Sequence, residues 1–227
     1  MILNFILDNI FVKFGGVIYK QIIGIPIGLD SGQDIANLLL YHYESTFLEN
    51  ISKTDLTLAR KFKHSKRYID DLFSANFPDF SRYLPNIYPQ ELELNLSSDS
   101  NTSVNYLDLK IVSINSDLIF SLYDKRDDFS FEIVNFPFLD SCIPRKPSLG
   151  IFYGQLIRIA RICSKFQDFS LRILRLSERL MNQGYKIKEL RKIAIRFFNE
   201  KFHLIEKYDQ RDIICFLGHI LHDNDNN

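Results

Sequence analysis

The stretch Arg67-Tyr68-Ile69-Asp70-Asp71-Leu72-Phe73 decides how this chain is read. Two adjacent acidic residues stand between apolar, strand-forming flanks. Side chains alternate faces along a strand, so an Asp-Asp pair at a strand centre would bury one charge, which is costly without a partner. At a hairpin turn both carboxylates can project from the end of the sheet toward solvent or a cation. Lys66 to Ser74 therefore reads as two short strands around a tight turn. Hard divalent cations such as Mg²⁺ take oxygen ligands, often one or two carboxylates plus phosphate oxygens. Two such ions a few ångströms apart can activate an attacking hydroxyl and neutralise a leaving pyrophosphate. An isolated Asp-Asp turn needs no chemical role, so the surrounding sequence has to decide.

Upstream, Ile2, Phe5, Ile6 and Ile10 fall at helical spacing and predict a helix over residues 1–12. A hairpin follows around Gly15-Gly16. Gly24-Ile25-Pro26-Ile27-Gly28 opposes both helix and strand interior and reads as a loop. Ser31 with Asp34 forms a weak capping box for a helix reaching about Asn50, with Ala36, Leu40, Tyr43 and Phe47 on one face. Downstream, residues 79–86 suggest a short helix. Strands are expected near 91–96, 105–113, 117–124 and 129–134, with a polar loop from Asn95 to Ser103. Pro137, Pro144 and Pro147 then break the chain. From 151 the apolar spacing is helical throughout, and Gly184 can end the second of these helices.

The expected class is α+β: an antiparallel sheet with packed helices over residues 1–140, an all-helical bundle over 141–205, and a terminal helix with a frayed tail over 206–227. A hydrophobic content of 46% and a charged content of 25% exclude a disordered chain. Cys142, Cys163 and Cys215 are too few and too widely spaced for a disulfide framework or zinc ribbon, and they suggest a reducing compartment. No apolar run is long enough to span a membrane, and the apolar start lacks the basic flank of a signal peptide. An intracellular location, nuclear or cytoplasmic, is expected.

The formal net charge of zero hides a division. Residues 1–150 carry 14 basic and 19 acidic side chains, whereas residues 151–201 carry 12 basic and 4 acidic ones. Arg158, Arg161 and Lys165 share one helical face, and Arg172, Arg175 and Arg179 share another. Lys188, Arg191 and Lys192 continue the pattern. Such faces can be solvated surface or can grip backbone phosphates without regard to sequence. Asp124, Asp127 and Asp128 around Lys125-Arg126 read as a surface turn with local ion pairs. Cys215, His219 and His222 share helical spacing, but a fourth zinc ligand is not evident.

The order of these features, a glycine loop and helix, an aromatic-x-Asp-Asp hairpin, several strands and a basic helical bundle, resembles the palm and thumb of a reverse transcriptase. Tyr68-Ile69-Asp70-Asp71 matches that class's Tyr-x-Asp-Asp motif, and Gly24-Ile25-Pro26-Ile27-Gly28 with Ala36-Asn37-Leu38 looks like its motif B. More narrowly, the chain resembles the reverse transcriptases of Penelope-like retrotransposons. The segments concerned are Phe14-Gly15-Gly16 with Tyr19-Lys20-Gln21, Tyr106-Leu107-Asp108-Leu109, Leu122-Tyr123-Asp124-Lys125-Arg126-Asp127-Asp128-Phe129 and Gln155-Leu156-Ile157-Arg158.

The resemblance implies RNA-directed DNA synthesis from deoxynucleotide triphosphates on an RNA or DNA template–primer, with Mg²⁺ or Mn²⁺. It implies metal coordination by Asp70 and Asp71, packing of Tyr68 against the primer end, and a nucleotide-side loop shaped by Gly24, Pro26 and Gly28. The bundle arginines would hold the duplex backbone. Nothing before residue 14 resembles the family's motif A, Asp8 is too close to the first hairpin to replace it, and the fingers have no counterpart. Ser31-Gly32-Gln33 stands where the family has a small residue and a proline. The chain is therefore expected to be the later part of a palm with its thumb, inactive without an N-terminal polymerase part. A non-catalytic nucleic-acid-binding remnant is the rival expectation.

Overall fold

The computed structural model describes residues 2–26, 28–97, 100, 102–115, 117–131 and 133–222. It is α+β, and its contacts divide it into two compact units, Met1–Asn95 and Leu96–Asn227.

The first unit opens with α1 (Ile2–Asp8), followed by β1 (Phe11–Phe14) and β2 (Val17–Lys20). The helix stops earlier than its apolar spacing predicts, because residues from Phe11 pair as an antiparallel ribbon. Gly15 and Gly16 make that turn at φ of 57° and 84°, where both positions need a left-handed backbone. All eight residues of the two strands are exposed.

Helix α2 (Gly32–Thr54) begins where the loop packs back on itself. Gly32 is buried, and a Cβ there would lie 2.8 Å from the Pro26 carbonyl oxygen, so only glycine fits. The expected Ser31 capping box does not form: Ser31 sits at φ −87° and ψ 0° rather than in the extended conformation that a capping side chain uses. A second helix, α3 (Leu56–Lys61), is capped instead by Asp55, which accepts from the Leu58 amide at 2.9 Å. A short 3₁₀ turn leads into β3 (Ser65–Tyr68), β4 (Asp71–Ser74) and α4 (Phe80–Ile87). The unit closes on Phe62, Phe77, Ile87 and Tyr88, against which Leu40, Phe47 and Ile51 of α2 and Leu72 of β4 pack. The Phe62 and Phe77 rings meet edge-on at 5.0 Å.

The second unit joins a three-stranded antiparallel sheet to a helical bundle. Its strands are β5 (Ser103–Tyr106), β6 (Leu109–Ile114) and β7 (Asp117–Leu122). The single strand expected over 105–113 is two, because Leu107 turns the chain at φ 53°. Residues 91–96 form no strand: their alternation is of strand type, but no partner pairs with them. No strand forms among the described residues of 129–134.

The bundle comprises α5 (Arg145–Ile162), α6 (Phe166–Asn182), α7 (Ile187–Glu200), α8 (Phe202–Ile205) and α9 (Gln210–His222). Its core includes Phe152, Leu156, Phe169, Leu180, Leu190 and Phe197, all nearly inaccessible, and Leu122 of β7 joins it. The sheet therefore shares a core with the helices, and the division into units falls at 95/96, whereas the composition change in the sequence falls near 140. Ser164, just after α5, ties the two layers: its amide and hydroxyl both donate to the Phe120 carbonyl, and its hydroxyl accepts from the Phe120 amide. Among the described residues, no helix is long and apolar enough to cross a membrane.

Candidate functional site

Strands β3 and β4 pair antiparallel with Tyr68 opposite Asp71, so Ile69 and Asp70 form a two-residue turn. Asp70 and Asp71 are exposed, and among the described residues neither carboxylate has a hydrogen-bond or ion-pair partner. The Tyr68 ring is half exposed beside them. Ile69 adopts φ 54°, a left-handed conformation that a β-branched side chain resists at a cost of about 1–3 kcal/mol. Something must hold it there.

The holding group is Arg67. Its Nε donates to Glu44 Oε1 at 2.6 Å, and Nη1 donates to Asn37 Oδ1 at 2.7 Å and to the Ile69 carbonyl at 3.0 Å. Nη2 reaches the Asn37 carbonyl and Glu44 Oε2, both at 3.4 Å. Asn37 and Glu44 are seven apart, two helical turns, and so stack on one face of α2. Tyr88 completes the arrangement by donating its hydroxyl to Glu44 Oε1 at 2.5 Å. Burial first, and then the Glu44 carboxylate, pushes the Tyr88 hydroxyl well above the usual tyrosine range, so it remains a donor. Spacing placed Asn37 in the loop–helix motif and Arg67 beside the aspartates, but it assigned neither a role. The usable signal was a cation two residues before the turn together with an i, i+7 polar pair on an otherwise mixed helix.

Asn37 lies five residues into α2, about 7.5 Å along its axis from the end where the glycine loop enters. In that loop Gly24 has φ 83°, which requires glycine. Pro26 supplies the carbonyl that accepts from the Leu29 amide at 3.2 Å. Gly28 has open space around its Cα and no positive φ, so nothing steric demands glycine there. The glycine with a steric role is Gly32, in the Ser31-Gly32-Gln33 segment where the sequence departs from the family pattern. Two exposed, adjacent carboxylates suit a hard divalent cation, with water or phosphate oxygens filling the remaining positions. Among the described residues, no group of three or more His, Cys, Asp or Glu is placed to hold a metal by itself. Cys215 is exposed, and the side chains of His219 and His222 lie outside the described residues.

In the second unit the expected basic faces are neutralised in part. Arg158 grips Asp108 with two hydrogen-bonding nitrogens, at 2.6 and 3.0 Å. Arg172 pairs with Asp127, Arg175 lies 3.8 Å from the same carboxylate, and Arg179 bridges Asp124 at 2.9 Å and Asp127 at 2.7 Å. Arg126 adds a bidentate contact to Asp124. Burial pushes the Asp124 and Asp127 carboxyls up, but hydrogen bonds from Arg126 and Arg179 on Asp124, and from Arg172 and Arg179 on Asp127, outweigh it and hold both below the usual carboxylate range. The acidic cluster taken for a local surface turn thus reaches across to α6. Sequence spacing shows which residues share a helical face but not which carboxylates a neighbouring loop brings to it. Among the described residues Arg161 and Lys165 are exposed without such a partner, as are Lys186, Lys188 and Lys192 at the start and along the outer side of α7.

Helices α6 and α7 are joined by a tight turn. Gly184, at φ 86°, donates its amide to the Met181 carbonyl, and Tyr185 donates to the Leu180 carbonyl, which closes α6 as the glycine predicts. A family model described as the animal helix-turn-helix domain matches residues 139–196, which span α5, α6 and most of α7. No curated protein and no solved structure matches the chain.

Proposed function

We propose that the chain takes part in RNA-directed DNA synthesis, as a palm segment carrying two metal-binding aspartates followed by a thumb-like helical unit that holds nucleic acid. The observation carrying this reading is the Tyr68-Ile69-Asp70-Asp71 turn, whose two free carboxylates stand at the tip of a hairpin clamped to the helix behind a glycine–proline loop. Asp70 and Asp71 would hold Mg²⁺ or Mn²⁺. Bound there, a divalent cation supplies charge neutralisation for a nucleoside triphosphate and activation of a primer hydroxyl. Tyr68 offers an exposed ring to the primer end, and Gly24 and Pro26 shape the entry to α2. Exposed Arg161, Lys165, Lys188 and Lys192 supply cations for backbone phosphates, which contribute affinity without sequence information.

The test is Mn²⁺ binding, followed by electron paramagnetic resonance, with and without primed RNA template and deoxynucleotide triphosphate. Binding is expected to tighten when both are present and to be lost in Asp70→Asn/Asp71→Asn. Equal binding by that variant would end the metal reading. Primer extension by the chain alone is expected to be weak, since both ions of a two-metal reaction must be fixed in place.

Non-catalytic nucleic-acid binding is the second reading. The helix-turn-helix match and the presence of only two carboxylates at the turn favour it. Duplex binding that is unchanged by loss of both aspartates, with no Mn²⁺ dependence, is its signature.

A further inference from the structure

We propose that Arg67 is the positioning residue of the Asp70–Asp71 turn: its guanidinium fixes the Ile69–Asp70 peptide against α2, and so sets the geometry at which the two carboxylates meet one divalent cation. The proposal rests on the metal reading above and goes beyond it, since Arg67 itself is not a ligand.

A two-residue hairpin turn led by isoleucine at φ 54° is not a conformation that the sequence prefers locally. The Ile69 carbonyl belongs to the same peptide plane as the Asp70 amide. Fixing that carbonyl with Arg67 Nη1 at 3.0 Å fixes the plane that carries the Asp70 amide, while pairing with Tyr68 places the Asp71 backbone beside it. The same nitrogen also donates to Asn37 Oδ1 at 2.7 Å, so the turn is referenced to the helix and not only to its own strands. Glu44 receives the other edge of the guanidinium and is in turn held by Tyr88. The Arg67 side chain is 13% exposed, so competing water is largely excluded from these bonds.

Arginine is the residue type this task needs. Its planar fork meets acceptors on α2 and in the turn together, whereas lysine is a single point of donors and cannot span them. A purely structural Arg67 would join hairpin to helix and contribute only stability. A positioning Arg67 also changes how well the aspartates bind a cation, and that difference is measurable.

The experiment uses the full chain and Mn²⁺ alone as probe, read by electron paramagnetic resonance beside a melting curve. Five proteins are compared: wild type, Arg67→Lys, Asn37→Ala, Phe47→Leu and Asp70→Asn/Asp71→Asn. Phe47 packs in the same core and, among the described residues, is not one of the groups that hydrogen-bond Arg67 or the turn, so its variant reports loss of core packing. Arg67→Lys is expected to weaken Mn²⁺ about tenfold, in line with other residues that orient ligands from behind. Asn37→Ala should move affinity in the same direction by less, and Phe47→Leu should lower the melting temperature with Mn²⁺ affinity unchanged. Should Arg67→Lys not fold, Asn37→Ala decides by the same criterion. The proposal is overturned if Arg67→Lys and Asn37→Ala melt earlier yet bind Mn²⁺ as wild type does, while the double aspartate variant has lost binding. If the double variant binds as tightly as wild type, the metal reading falls first and takes this proposal with it.

Discussion

Replacing Asp124 by Asn tests the ion-pair network that joins the loop after β7 to α6. Asp124 is 14% exposed, and its partners Arg126 and Arg179 are 18% and 29% exposed. The pairs are therefore neither at the surface, where each contributes at most about 1 kcal/mol, nor fully buried, where removing one partner costs about 3–5 kcal/mol. An intermediate loss of about 2 kcal/mol is expected at neutral pH, since Asn can still accept one hydrogen bond but leaves two guanidinium groups underpaired. For a unit of this size that corresponds to a drop of about 8 °C in its melting temperature.

The sign with pH follows from the depressed carboxyl. Its stabilisation is fully present above the unfolded-state value of about 3.9 and is lost as pH falls toward the lower folded-state value. Wild type and variant should therefore differ most at pH 7 and converge as the solution is acidified below about pH 4. Urea unfolding across that range measures both quantities. A difference that is negligible at pH 7, or that stays constant into acid, would refute the network as a source of stability.

Leu156, fully buried at the centre of α5, should lose about 2–5 kcal/mol on Leu156→Ala, measured by the same unfolding curves. Asp70→Asn/Asp71→Asn should change stability by no more than about 0.5 kcal/mol, because both side chains are exposed and unpaired; a larger loss would mean the turn depends on its charges. Arg161→Ala/Lys165→Ala should reduce the slope of log affinity against log salt for duplex DNA by up to about 1.8, whereas Arg172→Ala/Arg179→Ala should barely move it. The reverse order would show that phosphate displaces Asp127. Asp124→Asn/Asp127→Asn should steepen that slope by releasing arginines to the phosphates, as read by binding titrations over a salt series.

The hairpin at 65–74 was legible because buried charge is so unfavourable that an Asp-Asp pair between apolar flanks has few places to go. Helices α5 to α7 were legible because each presents a continuous apolar stripe to one core. The turn at Leu107 was not, since a leucine at φ 53° carries no local signature, and two strands merged into one reading. Residues 91–96 failed in the opposite way: alternation supplies a strand's faces but not the neighbour that makes it a strand. At the candidate site, the aspartates came from a local pattern, whereas Asn37 and Glu44 of α2, Arg67 of β3 and Tyr88 after α4 converge from three places in the chain. The pairing of Arg172 and Arg179 with Asp124 and Asp127 was hidden for the same reason, spanning up to 55 residues.

The ribbon of β1 and β2 sets a clock at the start of the chain. Among the described residues its strands pair only with each other, every residue in them is exposed, and none of residues 3–23 enters either hydrophobic core. A two-stranded hairpin of this kind is marginal by itself, so its amides open at a free energy near zero while those of α2 wait for the Phe62 core to come apart. Hydrogen exchange should therefore run through the ribbon in the first moments and then pause at Gly32. A dilute protease should cut ahead of α2 and leave a fragment whose hairpin turn, arginine clamp and core are intact.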